Sequence, residues 1–109
     1  MPKHIQKLKE IITELLLKSH WNRNSDYALY ADYITKMLPD AHCTEYYNIM
    51  KCYKEYGIFS FKAVERTRRA IQREAKLNGN IELLSDVQVE KWRKENEIRY
   101  REEFTKEGE

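Results

Sequence analysis

The sequence predicts an all-α fold: a compact bundle of about five helices in a single domain, 1–109, with a long charged C-terminal helix and a few frayed residues at its end. Two observations predict this class. The chain holds only 3 Gly and 2 Pro, whereas a β-rich domain needs many turns built from such residues. Charged residues make up 35% and hydrophobic residues 41% of the chain, and the hydrophobic ones recur at the three- and four-residue spacing of amphipathic helices.

The first two helices are predicted at about 3–19 and 26–38. One apolar stripe marks the first helix, formed by Ile5, Leu8, Ile11, Ile12, Leu15 and Leu16. Residues 20–25 are predicted as a loop, since they are polar and end in side chains suited to capping a helix: Asn24, Ser25 and then Asp26. Pro39 ends the second helix, because it lacks the backbone N–H that a helix interior needs.

A third helix is predicted to open at Cys43 or Thr44, and Thr44 is the better cap because its hydroxyl accepts from a backbone N–H. Its apolar stripe consists of Tyr46, Ile49, Met50 and Tyr53. Gly57 is placed just past its end, where a left-handed residue is favoured.

A fourth helix is predicted from the N-cap Ser60 to about residue 77, with Asn78 and Gly79 ending it. Phe59 and Val64 have the spacing of a hydrophobic staple around this cap. The connection between the third and fourth helices is therefore about three residues long, which is the loop length of a helix-turn-helix pair.

The last helix is predicted at about 86–104, because Ser85 and Gln88 have the spacing of a capping box. Glu-to-Lys/Arg pairs four residues apart cover its other faces, as in an exposed helix. Its sparse apolar seam could form a homodimer contact or pack on the domain's own core; the seam consists of Val89, Trp92, Tyr100 and Phe104.

Basic residues concentrate on the fourth helix, although the whole chain carries a formal charge of only +2. Residues 60–76 hold six Lys/Arg against two Glu, a local charge of +4. On a helical wheel the apolar residues of this helix form one stripe: Phe61, Val64, Ile71 and Ala75. Five cations form a second stripe, roughly 150° from the first: Lys62, Arg66, Arg69, Arg73 and Lys76. Arg68 falls near the apolar edge, so we expect it to extend to solvent or pair with a carboxylate. Glu65 lies beside the stripe and weakens it.

Such a stripe on the second helix of a helix-turn-helix pair favours DNA binding, because cations neutralise phosphates and Arg can bridge guanine O6 and N7. Ser60 could add a bond to a phosphate at the helix N-terminus. Two alternatives stay open. The stripe could be an ordinary solvated face, or it could meet an acidic patch on a host protein, for example a defence or replication factor.

Other residue types indicate no catalytic or metal site. Because His4, His20 and His42 lack metal-site spacing with either cysteine and no cofactor motif is present, we expect no enzyme activity, no metal and no cofactor. Cys43 and Cys52 are expected to be reduced and partly buried. Most of the 8 tyrosines are expected in the core, with Tyr33 and Tyr47 the most exposed; base stacking is the alternative.

Residues 23–30 (RNSDYALY) and 59–74 (FSFKAVERTRRAIQRE) resemble small phage and prophage helical proteins, most of which are described only as helix-turn-helix-like. The resemblance rests on the RNSD-type turn, the serine-aromatic start of an Arg-rich helix and the charged C-terminal helix. Relatives often have Pro near position 58 or 59 and again after the Arg-rich helix, where this chain has none. The resemblance implies a bacterium or its virus as the setting and says little about activity. We expect the chain in the cytoplasm of a bacterial host cell without a membrane partner, because no apolar run approaches the roughly 20 residues of a membrane span.

Overall fold

The computed structural model describes the backbone of residues 3–107 and the side chains of residues 7–96. Within that range the chain is all-α and no strand occurs, which confirms the predicted fold class. The helices are α1 (Lys3–Lys18), α2 (His20–Asn24), α3 (Asp26–Met37), α4 (Tyr46–Lys51), α5 (Phe61–Asn78) and α6 (Asp86–Glu107), and two 3-10 turns lie at Cys43–Glu45 and Ile81–Leu83. None of these helices combines the length and the apolar character that crossing a membrane requires.

The core lies where α1, α3 and α5 pack against one another. Each helix supplies its apolar face, so the predicted stripes of α1 and α5 are confirmed for the described side chains. Among the described side chains, the buried hydrophobic residues are Leu8, Ile12, Leu15 and Leu16 of α1, Leu29, Tyr30, Tyr33 and Ile34 of α3, Val64, Ile71 and Ala75 of α5, together with Ile49, Ile58 and Leu84.

Residues 20–25 were expected to form a loop, but 20–24 form the short helix α2. Polar side chains hold it in place: Asn22 is buried and its amide donates to the Leu15 carbonyl at 2.9 Å and to Asp32 Oδ2 at 2.8 Å. Arg23 Nη1 donates to the Leu16 carbonyl at 2.8 Å. The last carbonyls of α1 need hydrogen-bond donors, and side chains of α2 supply them. Because polar contacts order this segment, its sequence shows no apolar periodicity from which a helix could be predicted.

The third predicted helix is shorter than expected. Thr44 lies inside a 3-10 turn rather than capping a helix, α4 ends at Lys51, and nine residues, 52–60, connect it to α5 in place of the predicted three. The chain folds into four-residue turns here, with the Glu55 N–H donating to the Cys52 carbonyl at 3.0 Å. Tyr53 lies in these turns and packs on the core from there. Its place in the apolar pattern therefore reflects burial and not a continuing helix.

The caps of α3, α5 and α6 agree with the sequence. Ser25 Oγ accepts from the Ala28 N–H at 3.3 Å, and Ser60 Oγ accepts from the Ala63 N–H at 3.1 Å. Ser85 and Gln88 form the reciprocal capping box, with Gln88 Oε1 accepting from the Ser85 N–H at 3.0 Å and Ser85 Oγ from the Gln88 N–H at 3.3 Å.

Gly79 ends α5 with a left-handed φ of +76°. Its N–H donates to the Lys76 carbonyl at 3.4 Å and the next N–H, of Asn80, donates to the Ala75 carbonyl at 2.8 Å. These two bonds form a Schellman motif, which satisfies carbonyls that the helix end would otherwise leave without partners.

Candidate nucleic-acid interface

Helix α5 has one buried and one exposed face. Val64, Ile71 and Ala75 are buried against α1 and α3. Because these residues point into the bundle, the opposite side of the helix faces solvent. That side carries the basic face, which we define as Lys62, Arg66, Arg69, Arg73 and Lys76; the first four are exposed and Lys76 is half-buried.

Two of these five cations are already paired. Arg69 Nη2 lies 2.7 Å from Glu65 Oε1, one turn before it, and Lys76 Nζ lies 3.3 Å from Glu95 Oε1 on α6. Lys62, Arg66 and Arg73 form no ion pair with any side chain in the range 7–96. The charge available to an anionic ligand is therefore concentrated on these three residues.

Arg68 does not belong to the basic face. Its Nη1 lies 2.9 Å from Asp26 Oδ1 and its Nε donates to Gln72 Oε1 at 3.3 Å. Its side chain is only 14% exposed. The expectation that it pairs with a carboxylate is confirmed, and the contact joins the middle of α5 to the first residue of α3.

Gln72 orients α5, a role that was not predicted from the sequence. Its side chain is buried, and Nε2 donates to the Arg23 carbonyl at 3.1 Å and to the Leu83 carbonyl at 3.1 Å. Both acceptors lie outside α5, one in α2 and one in the 3-10 turn that follows α5. The only signal in the sequence is that Gln72 interrupts the apolar arc of the helical wheel, where a buried polar group needs partners.

Two tyrosines of α3 fix the residue that precedes the cap of α5. The Tyr30 hydroxyl donates to the Phe59 carbonyl at 2.7 Å, and the Phe59 N–H donates to the Tyr33 hydroxyl at 3.0 Å. Burial raises the pKa of Tyr30 to about 12 and also raises the pKa of Tyr33.

The expectation that Tyr33 is exposed was wrong, because α3 packs on both α1 and α5 and so buries a wide arc of its surface. Tyr47 is exposed as expected.

Ser60, the proposed phosphate donor, is half-buried at the start of α5. Its Oγ accepts from the Ala63 N–H, so the oxygen serves as the helix cap. The hydroxyl hydrogen remains available as a donor, since a hydroxyl both donates and accepts.

In the part of the chain that the structure describes, the remaining candidates are not brought together into a site. Cys43 and Cys52 are both free thiols; Cys52 is half-buried as expected, but Cys43 is exposed because its 3-10 turn lies on the surface. Among the described residues no His/Cys/Asp/Glu group is arranged to hold a metal. His42 is exposed, His20 Nε2 lies 3.5 Å from Asp86 Oδ2, and the side chain of His4 lies outside the described residues.

The apolar seam of α6 is described only in part. Val89 and Trp92 are half-buried, and the Trp92 carbonyl accepts from Asn96 Nδ2 at 2.8 Å. The side chains of Tyr100 and Phe104 lie outside the described residues. The homodimer contact therefore stays a prediction.

Comparison with known proteins adds no relative from which a role could be transferred. No protein-family model matches the chain, and neither a curated protein nor a solved structure matches it.

Proposed function

We propose that this chain is a small non-enzymatic DNA-binding protein of phage or prophage type, and that the basic face of α5 contacts duplex DNA. One observation carries the proposal: Lys62, Arg66 and Arg73 are exposed, share one side of α5 and have no ion pair among the described side chains. Exposed cations aligned in this way suit the phosphate backbone, where each contact releases bound counterions.

The dimensions of α5 also suit a duplex. Lys62 and Arg73 are eleven positions apart in the helix, which corresponds to about 16 Å at the rise of an α-helix. The major groove of B-DNA is about 12 Å wide and admits one helix. In that position Arg66 or Arg69 reaches base edges while the outer cations contact phosphates. Nine residues, 52–60, separate α4 from α5, which is longer than a helix-turn-helix connection. We therefore base the proposal on the basic face of α5 and not on a helix-turn-helix pair.

The test is fluorescence anisotropy with a labelled generic duplex at about 50 and 200 mM salt. Three to four phosphate contacts predict that affinity falls by about 40- to 150-fold over this range. A fall of less than threefold, or no binding at the lower salt concentration, would contradict the proposal.

A matched pair of variants locates the contact. Arg66→Ala with Arg73→Ala removes two cations from the basic face, and we expect weaker binding with a salt slope reduced by about 1.8. Lys18→Ala with Lys36→Ala removes the same charge from a groove between α1 and α3 that no residue of the basic face lines. The control should bind like the unmodified protein. Equal losses in the two double variants would assign binding to overall charge rather than to α5.

One observation favours the second candidate, a module that binds a host protein through the same face. Leu77 is 83% exposed at the end of α5, beside the basic residues on the helical wheel. An exposed aliphatic side chain bordered by cations suits a protein surface with an acidic rim. Absence of duplex binding, together with capture of a host protein that Leu77→Asp abolishes, would favour this candidate.

A further inference from the structure

A groove lined by aromatic rings lies between α3 and α4. Its volume is about 240 Å³, and its walls include Tyr27, Tyr30, Tyr46 and Tyr47 with Ile34 and Met50. We call it the tyrosine groove. Small-molecule sites in proteins usually measure about 300–1,000 Å³, so this groove has room for one small ring system and not for a large ligand.

The groove offers ring faces more than hydroxyl groups. The Tyr30 hydroxyl is bonded to the Phe59 carbonyl and the Tyr46 hydroxyl lies 2.6 Å from Thr35 Oγ1. The other two tyrosines of the groove, Tyr27 and Tyr47, are 72% and 69% exposed, so their rings are accessible to a ligand. Large aromatic side chains exposed together on one surface mark an interaction site more often than a solvated face.

Tyr27 is built as a stacking platform. Its ring stacks on Phe61, with centroids 5.2 Å apart and planes 30° apart. Phe61 also meets Tyr30 edge to face at 5.5 Å, which fixes its own ring. Because Phe61 covers one face of Tyr27 and most of the residue is exposed, the opposite face is open to a second planar ring.

Cations flank the groove on both sides. Lys51 Nζ lies 5.9 Å from the centroid of the Tyr47 ring. On the other side Phe61 is the first residue of α5, and the next residue, Lys62, begins the basic face. The ring that stacks on Tyr27 is thus the chain neighbour of the first cation of the basic face. A cation near each end of the groove suits a flat uncharged ring carried on an anionic backbone.

We propose that the tyrosine groove stacks an unpaired nucleobase of the nucleic acid that α5 contacts, so that the protein favours DNA with a single-stranded extension over fully paired duplex. This inference rests on the proposed function. Base–aromatic stacking increases affinity by about 5- to 150-fold per base and needs no particular base. A base inside a duplex cannot enter such a groove, because it is paired and both of its faces are stacked on neighbouring bases.

The test compares two labelled oligonucleotides, a blunt duplex and the same duplex with a short oligo-dT extension, in fluorescence anisotropy with the full chain. We expect the extended probe to bind at least fivefold more tightly. Tyr27→Ala with Tyr47→Ala should abolish this difference and leave blunt-duplex affinity within twofold. Tyr27→Phe with Tyr47→Phe keeps both rings and should retain the preference for the extended probe.

The outcomes separate the two proposals. Salt-dependent binding of both probes with equal affinity would overturn the stacking site and leave the DNA-binding role of α5 intact. An extension preference that survives in the double alanine variant would also overturn it. Binding of neither probe would overturn both proposals. Self-association that the double alanine variant abolishes in sedimentation, with equal affinity for the two probes, would assign the groove to a second copy of the chain.

Discussion

The guanidinium group of Arg68 lies 2.9 Å from the Asp26 carboxylate, and neither side chain is more than 26% exposed. Asp26 is the first residue of α3 and Arg68 lies near the middle of α5. This pair joins two of the three helices that form the core. Of the six cations between residues 60 and 76, Arg68 therefore stabilises the fold, whereas Lys62, Arg66 and Arg73 form no ion pair with any described side chain.

Arg68→Ala should lower the free energy of unfolding by about 1.5–3 kcal/mol, because it leaves Asp26 partly buried without its charged partner. Urea denaturation measures the loss. Arg66→Ala, on the exposed side of the same helix, should change stability by less than about 0.5 kcal/mol. Equal stability of the two variants would mean that the Asp26 contact adds nothing to the fold.

Gln72→Ala should destabilise the protein by about 1–3 kcal/mol, because it leaves the carbonyls of Arg23 and Leu83 without their donor. The residue is 2% exposed, so water cannot readily replace the amide. Asn48→Ala, at an exposed position of α4, is the control and should be close to neutral. Urea denaturation of both variants checks this, and a neutral Gln72→Ala would contradict the bridging role.

Gly79→Ala should cost about 1–2 kcal/mol, because a residue with a Cβ is strained at a left-handed φ. A Cβ placed there meets no atom within 4 Å, so the cost comes from the backbone alone. Gly79→Asn should cost less, since Asn tolerates this conformation better. Thermal unfolding of the two variants distinguishes them, and a greater loss in the Asn variant would argue against backbone strain.

Stability should fall at alkaline pH, because burial raises the pKa of Tyr30 to about 12, against about 10 for a free tyrosine. The folded state favours the neutral phenol of Tyr30. The contribution of this residue to the free energy of unfolding is therefore complete below pH ~10 and is lost as the pH rises through ~12. At pH 11 the protein should be less stable than at pH 8 by about 1 kcal/mol through Tyr30 alone. The raised pKa of Tyr33 acts in the same direction.

Urea denaturation at the two pH values measures this effect. Tyr30→Phe should show a smaller fall than the unmodified protein, because it has no phenol to ionise at that position. Tyr47→Phe, at an exposed position, should retain the full fall. An identical pH effect in all three proteins would place the titrating group elsewhere.

Helix α5 was predictable because its signals are local. Ser60, Gly79 and the spacing of its apolar residues lie within the segment itself, and the structure places the helix within one residue of the expected bounds. α2 and the end of α4 were not predictable in this way. Asn22 is ordered by Asp32 and by the Leu15 carbonyl, seven or more positions away, and no local pattern encodes such contacts.

The candidate interface was predictable to the same extent. The sequence identified the five cations of the basic face, because helical periodicity alone sorts them from the apolar residues. It did not reveal which of them are neutralised. Lys76 meets Glu95 from α6, nineteen positions along the chain, and the tyrosine groove forms only when α3 and α4 meet.

The hydroxyls of Tyr30 and Tyr33, which hold Phe59, determine where the chain can accept inserted residues. In a continuous helix each inserted residue rotates everything beyond it by about 100°. Here the turns at 52–57 are followed by a residue whose N–H and carbonyl are both bound to α3, so the angular register of α5 is reset at that point. Insertions among those turns should therefore leave the basic face aimed in the same direction, which makes this segment a site where related chains can differ in length without losing the orientation of α5.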